Sequence, residues 1–156
     1  MRSMTGILKT LHNNLDNIAP FRLQIFFLNF LDLGNISIFV HYAKDIKKFN
    51  KAHQECKIKG GDLASFSSES EYQHGIKDLP ADVNVWIGLS DKDFIGRWTW
   101  SKNDEEATFT KWDQDQPGPA KSKRCVVVKN GFWSNVNCNQ NEYSYLCEIP
   151  GIDFFF

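Results

Sequence analysis

Absent from this 156-residue sequence are a Cys-x-x-Cys pair, an apolar stretch long enough to cross a bilayer, an excess of either charge sign and any compact catalytic signature. Without metal-ligand spacing the cysteines do not read as a structural zinc site. The most apolar run, Leu23 to Leu31 (LQIFFLNFL), is bounded by Arg22 and Asp32 and falls well short of the roughly 20 residues a spanning helix needs. No membrane span is expected. Lysine and arginine together number 18 against 19 acids, a net charge of −1, so neither a nucleic-acid footprint nor an acidic tail is written into the balance. His-Glu-x-x-His, Gly-x-Ser-x-Gly and phosphate-loop motifs are missing, and His12, His41, His53 and His74 lie scattered along the chain. Gly60-Gly61 precedes a strand-like apolar run, so no helix terminus follows it to cradle an anion. The chain is not expected to be an enzyme.

What is abundant is aromatic: 14% of the residues, with 5 Trp and 13 Phe, rings that need a rigid interior to bury against. A chain of this length has room for one domain with a genuine core. Cys56, Cys125, Cys138 and Cys147 are even in number, which favours two disulfides over structural zinc or free thiols, and with them an oxidising, extracellular compartment. Residues 1–34 are read as a leader, a prodomain remnant or a faulty gene start, because the apolar run begins late and lacks a small-x-small cleavage site. The domain is assigned to residues 35–150, followed by a short apolar tail at 151–156. Asn35-Ile36-Ser37 is a glycosylation sequon, compatible with secretion without establishing it.

Ile36 to Tyr42 (ISIFVHY) is rich in β-branched and aromatic residues and predicts a strand, with Lys44 to Lys48 as a charged turn after it. Phe49, Ala52 and Cys56 then fall at i, i+3 and i+7, the inward stripe of a first helix that Gly60-Gly61 ends. Ser68-x-x-Glu71 has capping-box form, and Tyr72, Ile76 and Leu79 carry a second helix to about Leu79, before Pro80. Short strands follow: Val85 to Leu89, Arg97 to Trp100, Arg124 to Lys129, Phe132 to Trp133 and Tyr143 to Ile149, with Asn130-Gly131 as a hairpin turn. The pattern is α+β. Ser101 to Lys123 remains as a long polar segment with Pro117, Pro119 and little periodicity, a candidate functional loop.

Several landmarks recur in one order: Ala52 and Cys56, Gly61-Asp62-Leu63-Ala64, Trp86-Ile87-Gly88-Leu89, Trp98-Thr99-Trp100, Trp112 ahead of Pro117, Cys125, Gly131-Phe132-Trp133, Cys138 and Cys147-Glu148. In that order and spacing, residues 36 to 149 resemble the C-type lectin-like domain family. The resemblance implies two helices with antiparallel strands, a long polar loop and two disulfides, Cys56 with Cys147 and Cys125 with Cys138. Trp86-Ile87-Gly88-Leu89 is read as a buried core strand that touches no ligand.

The resemblance also locates a candidate site. Sugar-binding members of the family hold a calcium ion in the long loop, and the ion bonds two vicinal sugar hydroxyls. The family's Glu-Pro-Asn or Gln-Pro-Asp triplet stands here as Gln116-Pro117-Gly118, which keeps the amide and the proline expected in cis but drops the third side-chain ligand. The glutamate before the next cysteine is Lys123, and the Trp-Asn-Asp motif is Trp133-Ser134-Asn135. These positions therefore carry no carboxylate and one ammonium, which removes the attraction that offsets a divalent ion's dehydration. At the auxiliary calcium site Asp91 is kept, while Ile95, Pro119 and Arg124 replace oxygen ligands. Asp113 and Asp115 are either substitute ligands or simply solvated acids. No cofactor is expected, and calcium binding should be weak or absent.

Gln116, Pro117, Gly118, Lys123, Ser134 and Asn135 are accordingly the candidate ligand-binding residues, and no residue is assigned to metal. The resemblance implies a secreted carbohydrate-recognition module for pattern recognition or adhesion, as in innate immunity, with a glycan or glycoconjugate as partner. The alternative is a calcium-independent module that binds a protein or an anionic polymer through the same loop. Lys121, Lys123 and Arg124 beside Trp112 and Phe109 could meet a sulfated or phosphorylated glycan; the simpler reading is a charge run kept in water.

Overall fold

The computed structural model describes residues 39–119, 121–122 and 124–151. The expected leader at 1–34, the sequon at Asn35, the start of the first strand at Ile36, Lys123 and the tail beyond Gly151 lie outside the described residues.

Strand β1 (Phe39–Lys47) leads into helix α1 (Phe49–Ile58), strand β2 (Asp62–Leu63) and helix α2 (Glu69–Ile76). Then come β3 (Val85–Ser90), β4 (Thr99–Trp100), β5 (Cys125–Lys129), β6 (Phe132–Val136) and β7 (Tyr143–Ile149). The strands form one sheet ordered β1-β7-β3-β5-β6, with β2 joined to β7 and β4 to β3. Every ladder is antiparallel except β3 with β7, which is parallel. The expected α+β fold holds, and one parallel pair makes the sheet mixed.

One local expectation is corrected. Lys44 to Lys47 is not a turn but the end of β1, which runs on to pair Lys47 with Tyr143 after a register shift beyond Ala43. β1 is an edge strand, and a bulge with charged side chains is how edges are kept from pairing with other chains. The charges that suggested a turn belong to that edge.

Alternation along the strands divides the interior in two. Val85, Ile87 and Leu89 of β3 and Val126 and Val128 of β5 face one core, with Phe66, Tyr72, Trp100 and Trp133. Trp86, Cys125 and Val127 face the other, with Phe49, Ala52 and Cys56 of α1 and Tyr145 of β7. Covered on both faces, β3 and β5 read as near-continuous apolar runs. Gly88 is required where β3 passes β2, since a Cβ there would lie 2.7 Å from the Leu63 carbonyl oxygen.

Helix α2 is capped by the Ser68 hydroxyl, which accepts from the Glu71 N–H at 3.2 Å. The Glu71 carboxylate reaches back one residue further than a capping box requires, to the Ser67 N–H and hydroxyl at 2.8 and 2.6 Å. The helix closes at Ile76 rather than Leu79, whose N–H makes a tight bond to the Ile76 carbonyl at 3.0 Å. Pro80 disfavours helical backbone at the residue before it, which explains the earlier end. At the β5–β6 hairpin Asn130 and Gly131 both take positive φ, 50° and 82°, as a two-residue turn of that type demands.

Both disulfides join the implied partners, Cys56 with Cys147 and Cys125 with Cys138. The first ties α1 to β7 inside the second core. Beside it Asp62 and Glu148 are opposed on β2 and β7 and both buried. Asp62 lies 2.9 Å from His53 Nε2 and 2.5 Å from Lys57 Nζ, and its Oδ1 accepts from the Ser101 hydroxyl at 2.8 Å. Glu148 accepts from the Ser65 N–H and hydroxyl at 3.0 and 2.8 Å and meets Lys102 Nζ at 3.1 Å.

Burial alone would push the Asp62 carboxyl up, but the close contacts with His53 and Lys57 and the hydrogen bond from Ser101 outweigh it and hold the group well below the usual carboxylate range. A folded-state pKa depressed in this way stabilises the fold fully above the unfolded value of about 4 and is lost as pH falls below it. Thermal melts from about pH 7 down to about pH 2 should therefore show the advantage of the wild type over Asp62→Asn shrinking with acid. A constant gap between the two proteins would contradict this role for Asp62.

Candidate functional site

The segment after β4 is bound to the domain along much of its described length. Residues 105–107 fold back on β4, with the Trp100 N–H bonded to the Glu105 carbonyl and the Ala107 N–H to the Trp98 carbonyl, both at 2.9 Å. Further on, Trp112 bridges to Trp133 of β6. The Trp133 N–H donates to the Lys111 carbonyl at 2.8 Å, and the Asp113 N–H donates to the Trp133 carbonyl at 2.9 Å. Part of the open edge of β6 is thereby closed. Lys111 Nζ meets Glu69 of α2 at 2.9 Å, and the rings of Phe109 and Trp112 pack on Trp133 at centroid distances of 5.7 and 5.8 Å. The low periodicity of this stretch conceals anchors that only pairing with β6 reveals.

At the end of the anchored stretch the Gln116–Pro117 peptide is cis, and Gln116, Gly118 and Asn135 come together. Gln116 Oε1 accepts from the Gly118 N–H at 3.3 Å and from the Asn135 N–H at 3.2 Å. Asn135 Oδ1 accepts from the Gly118 N–H at 2.8 Å, and Asn135 Nδ2 donates to the Gly118 carbonyl at 2.9 Å. Both amide orientations follow from their partners, since an N–H needs an oxygen and a carbonyl needs a donor. Asn135 is buried, Gln116 and Gly118 are half-buried, and Pro117 is exposed. The result is a closed ring of amides.

The other candidates fall elsewhere. Ser134 pairs with Val127 across the β5–β6 ladder and shares its parity with Val136, which packs against the second core. Strand alternation thus directs it away from Trp133 and Asn135. Lys123 lies outside the described residues. Asp113 and Asp115 are exposed, and the Asp113 carboxylate caps its own turn by accepting from the Gln114 N–H at 2.8 Å. Trp98, just before β4, and Trp112, on the long loop after it, are both half-buried and pack edge to face at 4.9 Å.

Calcium requires about 6–8 oxygen ligands, several of them anionic. The residues present do not fit that demand. Gln116 Oε1 already accepts two N–H groups and Asn135 Oδ1 accepts the Gly118 N–H, and among the described residues no carboxylate joins the ring. Gly118 contributes only its backbone, although a Cβ there would have room, 3.6 Å from Asn135 Oδ1. Among the described residues no group of three or more His, Cys, Asp or Glu side chains is placed to hold a metal ion.

Around Asp91 the arrangement differs from what the list of substituted ligands suggested. Arg124 Nε donates to Asp91 Oδ1 at 3.2 Å, and Arg124 Nη2 donates to the Asp91 carbonyl. The Gly96 N–H takes Asp91 Oδ2 at 2.9 Å. Arg124 is a missing oxygen ligand when read in sequence; in the fold it is the cation that faces the retained acid.

Residues 45–149 match the family described as Lectin C-type domain. Over 109 residues the chain is 32% identical to Lectin BRA-3 of Megabalanus rosa, an alignment that takes in 66% of this chain and 65% of that protein. It therefore spans just under two thirds of that relative's length. The fold superposes on the mouse scavenger receptor C-type lectin carbohydrate-recognition domain with a TM-score of 0.70, at 21% identity, covering 78% of this chain and 96% of that one. A calcium-independent type II antifreeze protein is similar too, with a TM-score of 0.65 and 26% identity over 72% of this chain and 86% of that one. Among the described residues no helix is long and apolar enough to cross a membrane. With the helices, the mixed sheet, both disulfides and the family match in agreement, this chain belongs to the C-type lectin domain family, a family of binding modules.

Proposed function

We propose that this chain is a secreted, non-catalytic recognition module that engages carbohydrate through its long-loop face without a bound calcium ion. The observation that carries this reading is the amide ring: the oxygens of Gln116 and Asn135 that could face an ion are bonded to backbone N–H groups of the protein itself. A sugar would be met by the half-exposed Trp98 and Trp112 rings, which suit the apolar face of a pyranose. Two disulfides support an extracellular setting. A binding role is supported by the separation of the histidines: His41 lies on β1, His53 on α1 beside Asp62, and His74 on α2.

Calcium should leave the melting temperature unchanged. A site with a Kd of about 0.1 mM would add about 2.3 kcal/mol in about 5 mM calcium, or about 10 °C for a domain of this size. A rise of that order would overturn the proposal. Glycan-array binding should likewise survive chelator.

A second reading, recognition of a protein or an anionic polymer by the same face, is favoured by one observation: Gly118 presents backbone where the family offers a side chain to the ligand. The similarity to a calcium-independent antifreeze protein is compatible with it. Silence on the array together with saturable binding to a protein or polyanion would select it.

A further inference from the structure

We infer that Arg124 is a built-in counter-ion that positions the 91–97 turn, doing with a covalently attached cation what an exchangeable ion would otherwise do. This goes beyond the calcium-free reading of the loop, because it makes no use of the Gln116–Asn135 ring.

Arg124 precedes β5, and its carbonyl receives the Asp91 N–H at 3.1 Å. Its guanidinium then returns to the same residue, to Asp91 Oδ1 at 3.2 Å and to the Asp91 carbonyl. Main chain and side chain of Asp91 are both held. The second carboxylate oxygen is left to the Gly96 N–H at 2.9 Å, and the Arg97 N–H closes the turn on the Phe94 carbonyl at 2.9 Å. A carboxylate that bonds a guanidinium on one oxygen and a backbone N–H on the other transmits position from β5 to the turn.

The pair is shielded: the side chains of Arg124 and Asp91 are 25% and 12% exposed, so salt screens it less than a surface pair. The turn it holds carries Phe94 and Ile95, 52% and 87% exposed, with the Arg97 guanidinium 5.6 Å from the Phe94 ring. Two adjacent apolar side chains in water bury little that could order the turn by itself. Lys92 over the Phe49 ring and Arg97 beside Glu106, at 3.2 Å, hold the flanks of the turn; Asp91 ties it to the start of β5, and Arg124 sets Asp91.

Amide hydrogen exchange on the oxidised full chain tests this. Arg124→Gln, which keeps length and loses charge, should raise exchange at Gly96 and Arg97 by at least about tenfold, while Arg124→Lys should raise it less. Arg124→Glu should create an acid pair with Asp91 that needs an external cation. Its melting temperature should climb by about 5 °C or more in millimolar calcium, with no change in the wild type. Equal protection at Gly96 in the wild type and Arg124→Gln would overturn the inference. So would Arg124→Glu that folds and ignores calcium. Because the readout is local exchange and metal response, its failure would leave the proposed carbohydrate recognition standing.

Discussion

Reduced protein should be unfolded at ambient temperature, with its near-UV circular dichroism collapsed. Cys56 and Cys147 are 91 residues apart and Cys125 and Cys138 are 13 apart. In the loop-entropy account the longer closure is worth about 4.6 kcal/mol and the shorter about 3. Whole domains are stable by about 5–15 kcal/mol, so loss of both removes a large part of what exists. The shorter loop is nested inside the longer, which makes the two less than additive.

The same arithmetic separates the two bonds. Replacing Cys56 and Cys147 together by alanine should lower the melting temperature more than replacing Cys125 and Cys138, by a margin of about 1.6 kcal/mol from loop length alone. Burial widens it: Cys56 and Cys147 are fully buried between α1 and β7, and their loss also leaves a cavity. A reduced sample with an intact near-UV spectrum, or the reverse order of the two variants, would be the contrary finding.

Trp133→Ala should be the most damaging single truncation, costing about 3–5 kcal/mol. Trp133 is fully buried, and its ring meets Tyr72, Trp100, Phe109 and Trp112 edge to face at 5.7, 5.9, 5.7 and 5.8 Å. Two of those rings belong to the long loop. Truncation therefore opens the core and removes the apolar anchor of residues 109–112 at once, so urea unfolding and proteolytic cleavage within 101–119 should worsen together. Trp133→Phe keeps a ring and should lose less. Trp98→Ala, at a half-buried position, serves as the milder comparison. A loss under about 1 kcal/mol in Trp133→Ala would mean that the aromatic cluster does not organise the loop.

How legible the site was depends on the kind of contact involved. Gln116, Gly118 and Asn135 could be named from their motifs, yet their mutual bonding could not, because it joins residues 17 to 19 apart through backbone N–H groups that have no sequence signature. Ser134 was named with them and is turned away by the pleat of β6. In sequence Arg124 reads as a substituted ligand or as one end of the basic run with Lys121 and Lys123. Its true partner becomes visible once the β3 and β5 strands pair and bring Asp91 beside it, 33 residues away. Asp62 and Glu148 stood in plain sight in Gly61-Asp62-Leu63-Ala64 and Cys147-Glu148, but their shared burial depends on β2 and β7 being neighbours.

By itself the amino-acid order determined what local chemistry controls: the inward stripe of α1, the serine cap of α2, the positive-φ hairpin at Asn130-Gly131 and the doubly buried runs of β3 and β5. Each follows from side-chain periodicity or backbone freedom within a few residues. Tertiary structure alone decided the parallel β3–β7 pair, the extension of β1 through its charged residues, the clamping of the long loop to β6, the amide ring at Gln116 and Asn135 and the separate Asp91–Arg124 pair. The reason is common to them: each satisfies a polar group or pairs an edge across a long sequence separation, and which groups meet is set by the packing of the whole sheet.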